Sequence, residues 1–302
     1  MKMITKSDLK RIAKISFGIL IVIAAFKAVS AKAEAKNLYF WTLKTNKANI
    51  YMLGSIHIAN KDAYPLNSKI EKGFAECNNL VLECNTENVI FSEIFKVVSY
   101  SDTSSLQSHV SPEVYEMISK QCEKYKIYPE SYNKIKPWYT AMLLMQIELA
   151  NNGYRSVYGL DNYFSSKAKT LNKNILELET PAEQLSYFNY FDSYSDDYIK
   201  YSFKNIDSTV RDAQLLLKAY DEGDDETIDE LINPKDEKFP EITYVNSKIV
   251  DERNANMIKK IEGFINKGGN YFIIAGTAHY MGDKGIIQSL RNKGYQINRL
   301  KK

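Results

Sequence analysis

The chain alternates two kinds of stretch. Short runs of aromatic and β-branched residues read as strands, and longer runs with apolar positions three and four apart read as helices. Residues 38–43 (LYFWTL) and 50–53 are the first two strands, and the polar stretch 44–49 between them reads as a hairpin loop. Residues 68–77 form a helix and 79–84 (NLVLEC) a strand. Residues 91–150 are largely helical. Ser111-Pro112-Glu113 starts a helix with Pro in its first turn, and 137–151 is a long apolar helix. Residues 156–160 and 175–178 are short strand candidates. Thr180-Pro181-Ala182-Glu183 then sets an N-cap, a first-turn Pro and a capping-box Glu in order. The pattern stays helical over 181–232, and 233–240 is a polar loop. In 247–266, Val250, Met257, Ile261 and Phe264 recur at helical spacing, and Gly268-Gly269 ends that helix. Residues 271–275 (YFIIA) and 295–300 are the last strands. Strands at both ends with helices between them predict an α/β fold: a mixed central β-sheet flanked by helices. Its largely helical middle covers about 91–150 and 181–240.

The first 35 residues follow a different pattern. Residues 2–14 are basic, 15–26 are an apolar run, and Lys27 leads into a small-residue stretch ending at Ala35. This is the order of a secretory signal, with cleavage after Ala31, Ala33 or Ala35. The run is shorter than the roughly 20 residues a bilayer span needs. The alternative is an uncleaved anchor. Either way the body, residues 36–302, is expected to be one domain outside the cytoplasm (periplasmic, secreted or anchored facing outward). No Cys follows the apolar run, which argues against a lipoprotein signal.

Composition narrows the class. Of 302 residues, 44% are hydrophobic and 25% charged, which excludes collagen-like, disulfide-scaffold and disordered chains. The net charge of +3 is misleading. Residues 1–31 hold six basic side chains and one acid, so the remainder is slightly acidic. No basic stripe remains for a nucleic-acid partner. The three cysteines, Cys77, Cys84 and Cys122, cannot all pair within one chain, and their spacings are not those of a zinc finger. Cys84 reads as a small buried hydrophobe.

The histidines carry the chemistry. Two of the three stand in the same local pattern: strand, Gly54-Ser55-Ile56-His57, and strand, Gly276-Thr277-Ala278-His279. Gly54 and Gly276 let the backbone turn or be approached closely, and each His is presented at the carboxyl edge of the sheet, where ligands of open α/β sheets bind. Two imidazoles and a carboxylate make a common catalytic metal set. Glu83, an acid inside an apolar strand, is the best third ligand, because burying it needs a partner or a cation. Asp161, read as a strand end, and Glu177 and Glu179, flanking Leu178, are further carboxylates. Glu179 also suits a helix cap. Arg253 flanks the apolar face of its helix and either serves an oxyanion or substrate carboxylate or makes a surface ion pair. His109 reads as a loop residue.

Ile50-Tyr51-Met52-Leu53-Gly54-Ser55-Ile56-His57, Tyr64-Pro65-Leu66 and Leu80-Val81-Leu82-Glu83 resemble the opening of the TraB/GumN family. Lys136-Pro137-Trp138, Gly159-Leu160-Asp161, Leu178-Glu179-Thr180 with Glu183-Gln184, Glu252-Arg253-Asn254 and Ala275-Gly276-Thr277-Ala278-His279 continue the match in order. Gly282, Gly285 and Gly294-Tyr295 complete it over about residues 38–300. Ser55 stands where Thr is common, and both offer a hydroxyl. That family is related to the Tiki metallopeptidases and more distantly to the erythromycin esterase and ChaN haem-binding group. The resemblance implies an α/β fold with both GxxH motifs at one site. It implies that His57, Glu83 and His279 are the metal set, with Arg253 beside it.

Two functions follow. The first is an extracytoplasmic metal-dependent hydrolase, a peptidase by resemblance, using a divalent Mn, Co or Zn ion on a peptide or protein substrate. Arg253 would stabilise the oxyanion, and Glu179 or Asp161 would act as general base or orient a histidine. The second is a non-catalytic module that sequesters haem or a signalling peptide. A membrane enters either reading only through the N-terminal segment.

Overall fold

The computed structural model describes residues 37–57, 59, 63–204, 206–233 and 235–302. The N-terminal signal pattern lies outside the described residues. The chain opens with a hairpin, β1 (Asn37–Lys44) and β2 (Ala48–Ser55), paired antiparallel with Phe40 opposite Leu53. The connection is shorter than the polar stretch implies, because the strands continue through Lys44 and resume at Ala48. Thr45 closes it: its hydroxyl accepts from Ala48 N at 2.9 Å. Helix α1 (Ser68–Ala75) leads to β3 (Asn79–Leu82), then α2 (Phe91–Val98), α3 (Pro112–Lys124), a single turn at Pro129–Tyr132 and α4 (Pro137–Asn151).

Residues 156–160 are not a strand. A 3-10 turn, Ser156–Tyr158, runs through Gly159 into helix α5 (Leu160–Thr170). Gly159 explains the departure. A Cβ there would lie 2.4 Å from the His57 carbonyl oxygen, so this segment is pressed against the backbone of the first motif. Strand β4 (Asn174–Glu177) and helices α6 (Pro181–Ser186), α7 (Ser195–Lys204), α8 (Thr209–Glu222) and α9 (Asp225–Ile232) follow. Helix α10 (Pro240–Lys267) starts seven residues earlier than its apolar periodicity suggests. Pro240 sits at its first turn, where a missing N–H costs nothing. Gly268, at φ 81°, ends it. Strand β5 (Gly269–Gly276), a turn at Thr277–Tyr280, helix α11 (Ile286–Asn292) and strand β6 (Ile297–Lys301) complete the chain.

The six strands form one mixed sheet in the order β4-β3-β5-β2-β1-β6. β4, β3, β5 and β2 are parallel, and β1 is antiparallel to both its neighbours. Alternation along the central strands divides the core. Ile50, Met52, Val81 and Ile273 face one way, onto Met257, Ile258 and Ile261 of α10. Tyr51, Leu53, Leu80 and Phe272 face the other, onto Phe74 of α1 and Phe164 of α5. The helical middle has its own apolar cluster around Trp138, Phe188, Phe191 and Ile199. Ile242, Val245 and Ile249 from the first half of α10 join it. Thus α10 ties the helical middle to the sheet, which fixes the residues at its centre.

Candidate metal-binding site at the carboxyl edge of the sheet

Parallel pairing delivers the two motifs side by side. Gly54 lies opposite Ala275, and Ser55 opposite Gly276. His57 follows β2 by two residues, and His279 follows β5 within its terminal turn. The edge is stitched by the Thr277 hydroxyl, which donates to the Ser55 carbonyl at 3.0 Å. β3 and β4 end beside them. Their pairing continues past the strands, with Glu179 N donating to the Glu83 carbonyl at 3.0 Å. Four parallel strand ends therefore bring His57, Glu83, Glu179 and His279 to one place.

Glu83 is the centre. It is 2% exposed, a burial that demands partners. Its Oε1 accepts from Gln184 Nε2 at 2.7 Å and from Arg253 Nη2, and its Oε2 accepts from Gly276 N at 2.6 Å. His57 Nε2 lies 3.5 Å from Oε2, and His279 Nε2 3.8 Å from Oε1. Burial opposes the charge of Glu83, but Arg253, His279 and His57 outweigh it and hold the carboxyl well below its ordinary range.

The two rings are held by different partners. His57 Nδ1 lies 3.0 Å from Asp161 Oδ2, and the Ser55 hydroxyl donates to the other Asp161 oxygen at 3.3 Å. Burial works against a charge on His57, yet Asp161 and Glu83 raise its pKa well above the usual value. His279 Nδ1 lies 2.7 Å from Asn254 Oδ1, and Asn254 Nδ2 donates to the Lys284 carbonyl at 3.2 Å. Burial and the nearby Arg253 push the His279 pKa down to about 3. Each ring thus turns Nδ1 to an acceptor and Nε2 towards Glu83, the orientation in which ligating histidines are usually braced.

Arg253 is fully buried and not a surface pair. Its Nε donates to Glu179 at 3.0 and 3.2 Å, and its Nη2 to both Glu83 and Glu179. Glu179 does not cap a helix. Thr180 does, accepting from Glu183 N at 3.2 Å. Burial raises the Glu179 pKa, although Arg253 opposes the shift. Asp161 sits in the first turn of α5 rather than at a strand end. Glu177 accepts from Asn85 N at 3.0 Å and does not join the constellation. His109 ends a 3-10 turn and stacks on Tyr100 at 3.9 Å.

Sequence reasoning assigned no role to Gln184 or Asn254. Gln184 Nε2 bridges Glu83 and Glu179 at 2.7 and 3.0 Å, and its Oε1 accepts from the Cys84 thiol at 3.4 Å. Their only signal was their place in the matched runs Glu183-Gln184 and Glu252-Arg253-Asn254. All three cysteines are buried and free.

Among the described residues, no group of three or more His, Cys, Asp or Glu is drawn to metal-holding spacing. The donor chemistry nevertheless fits a divalent ion. A Cβ on Gly276 would lie 2.9 Å from His57 Nε2, 3.3 Å from Glu83 Oε2 and 3.7 Å from a His279 ring carbon, so the absent side chain leaves a cradle facing all three.

Fold and site define an α/β protein with a His–Glu–His constellation, its Glu83 and His279 buried and its His57 half-buried, at the carboxyl edge of a mixed sheet. The chain belongs to the TraB/PrgY/gumN family, whose model matches residues 39–299. It is similar to a protein named metalloprotease TIKI homolog from Amphimedon queenslandica, 25% identical over 193 residues, covering 56% of this chain and 38% of that protein. It is 23% identical over 272 residues to the uncharacterized protein YbaP of Escherichia coli (strain K12), covering 84% and 94% of the two chains. It is 20% identical over 312 residues to metalloprotease TIKI1 of Danio rerio, covering 86% of this chain and 63% of that one. This chain therefore spans less than two thirds of either metalloprotease. No solved structure is a significant match. Among the described residues, no helix is long and apolar enough to cross a membrane.

Proposed function

We propose that this chain is a metal-dependent hydrolase acting on peptides, with His57, Glu83 and His279 holding one divalent ion (Mn, Co or Zn). The observation that carries it is the Gly276 cradle, faced by both imidazoles and the Glu83 carboxylate. The names of the metalloprotease relatives support the reaction class. When bound, such an ion supplies Lewis acidity and a water ionised near neutral pH.

The chain's own residues do the rest. Asp161 fixes His57 with Nε2 towards the cradle, and Asn254 does the same for His279. Arg253, Gln184 and the Gly276 N–H hold Glu83 ionised and in place. Asp161 is the one of these residues' acids besides Glu83 that lines the site cavity, beside His57, Cys84 and Gln184. It is therefore the carboxylate placed to take a proton from an entering water. Arg253 and Glu179 lie behind Glu83, and their role is positioning rather than contact with an oxyanion. Glu83 facing both Nε2 atoms favours this reading over haem sequestration, which has no use for a carboxylate there. The N-terminal pattern supports an extracytoplasmic location, with residues 36–302 acting as one domain.

Metal content tests the reading. The full chain purified without chelator should carry about one divalent ion, and the His57→Ala/His279→Ala double variant none. A chain that stays metal-free after incubation with manganese, cobalt and zinc overturns it.

A further inference from the structure

The site cavity is small. It encloses about 30 Å³, room for a water-sized group and little else. Three of its lining residues, Thr86, Ser156 and Asn162, also line a second and much larger cavity of about 1070 Å³ that runs along α5. Of the two histidines His57 lines it, so whatever is cut beside His57 must leave its bulk outside this first cavity, and the second opens from the same wall.

The second cavity has a definite chemistry. Tyr64, Pro65 and Leu66 line it together with Val157, Tyr158 and Tyr163. The Tyr64 and Tyr163 rings lie 4.9 Å apart, and the Tyr64 hydroxyl donates to the Tyr158 carbonyl at 2.9 Å, so these segments are tied together. Val157 is 63% exposed, a branched apolar side chain standing open to the groove. Among the described residues, the charges that line it are matched: Lys167 pairs with Glu71 at 2.5 Å, and Lys169 with Glu87. A charged guest would lose water and find no free counter-charge among the described residues, whereas an apolar guest meets aromatic walls.

We propose that the groove along α5 is the substrate subsite for an uncharged aromatic or branched aliphatic side chain of the peptide, next to the bond cut at the histidines. The location of that bond rests on the hydrolase reading, but the groove's preference does not.

The test uses the full chain with three capped tripeptide amides, Ac-Ala-X-Ala-NH2 with X as Phe, Gly or Lys. Binding is measured by calorimetry in chelator, so that turnover plays no part. The Phe peptide should bind at least about tenfold more tightly than the Gly peptide, the scale set by one side chain in an apolar pocket. Val157→Asp should erase that preference and favour the Lys peptide, while Val157→Ile should keep it. Because Val157 is exposed, an unchanged thermal unfolding curve checks that Val157→Asp still folds. Equal binding of Phe and Gly peptides overturns the proposal, as does a preference that survives Val157→Asp. A Phe preference lost in Val157→Asp, with no hydrolysis of any peptide after metal is restored, upholds the groove and sinks the hydrolase reading. Hydrolysis without side-chain preference does the reverse.

Discussion

Gly54-Ser55-Ile56-His57 and Gly276-Thr277-Ala278-His279 share an order of residue types and follow neighbouring parallel strands. Their rings nevertheless hold opposite electrostatic positions. His57 leans on a carboxylate, Asp161 of α5, and is held in a proton-retaining state. His279 leans on an amide, Asn254 of α10, stands near Arg253 and is held neutral. The motif sets where each imidazole sits. An element remote in sequence sets its charge. An ion arriving at the cradle would thus meet one ready donor and one that must first release a proton.

The largest way to break this asymmetry is through Arg253. Arg253→Met leaves Glu83 and Glu179 buried without their cation and removes the charge that, after burial, lowers the His279 pKa. Loss of one partner of such a buried pair costs about 3–5 kcal/mol, read by urea unfolding. A loss below about 1 kcal/mol would mean that water reaches the pair. The second way removes the braces. Asp161→Asn and Asn254→Leu should each weaken metal binding about 10–100-fold, measured by competition with a chromogenic chelator. A strong effect from only one of them would show that a single histidine dominates the affinity.

The effect smallest per pH unit is the most diagnostic. His57 has a raised pKa, so in the metal-free chain its stabilisation is complete below about pH 6.5 and is lost as pH climbs through the raised value. His279 has a lowered pKa, so its stabilisation is complete above about pH 6.5 and is lost as pH falls towards about 3. Each contributes a slope of at most about 1.4 kcal/mol per pH unit. His57→Asn should therefore flatten the alkaline limb of stability against pH, and His279→Asn the acid limb. Exchange of the two behaviours would refute the assigned environments.

The same asymmetry marks what can be read from sequence. His57, Glu83 and His279 were legible because strand pattern and residue type coincide: Gly at a strand end, His three residues on, an acid among apolar neighbours. Strands β1, β2, β3 and β5 were legible for the same reason. The segment 156–160 misled because Val157, Tyr158 and Leu160 look strand-like, whereas its shape answers to Gly159 pressed on the His57 backbone. The start of α10 was hidden because Pro240 reads as a loop residue until its first-turn position is known. Arg253 sits at the border of an apolar helix face, and spacing alone cannot tell a border from a centre. Gln184 and Asn254 were the least legible. An amide carries no charge to betray it, and the contact of Gln184 with Glu83 spans 101 residues.

The antiparallel β1 has a practical consequence. Because it runs against β2, its first residue, Asn37, lies at the carboxyl edge, paired there with Lys301 of β6. A tag at either position would crowd the edge that bears the histidines. A short linker from Lys301 to Asn37 would instead make a circular permutant with new ends opened in the turn at residues 45–47, at the opposite edge of the sheet. Such a permutant could be tethered to a sensor surface by those ends, with its groove and histidines facing the solution.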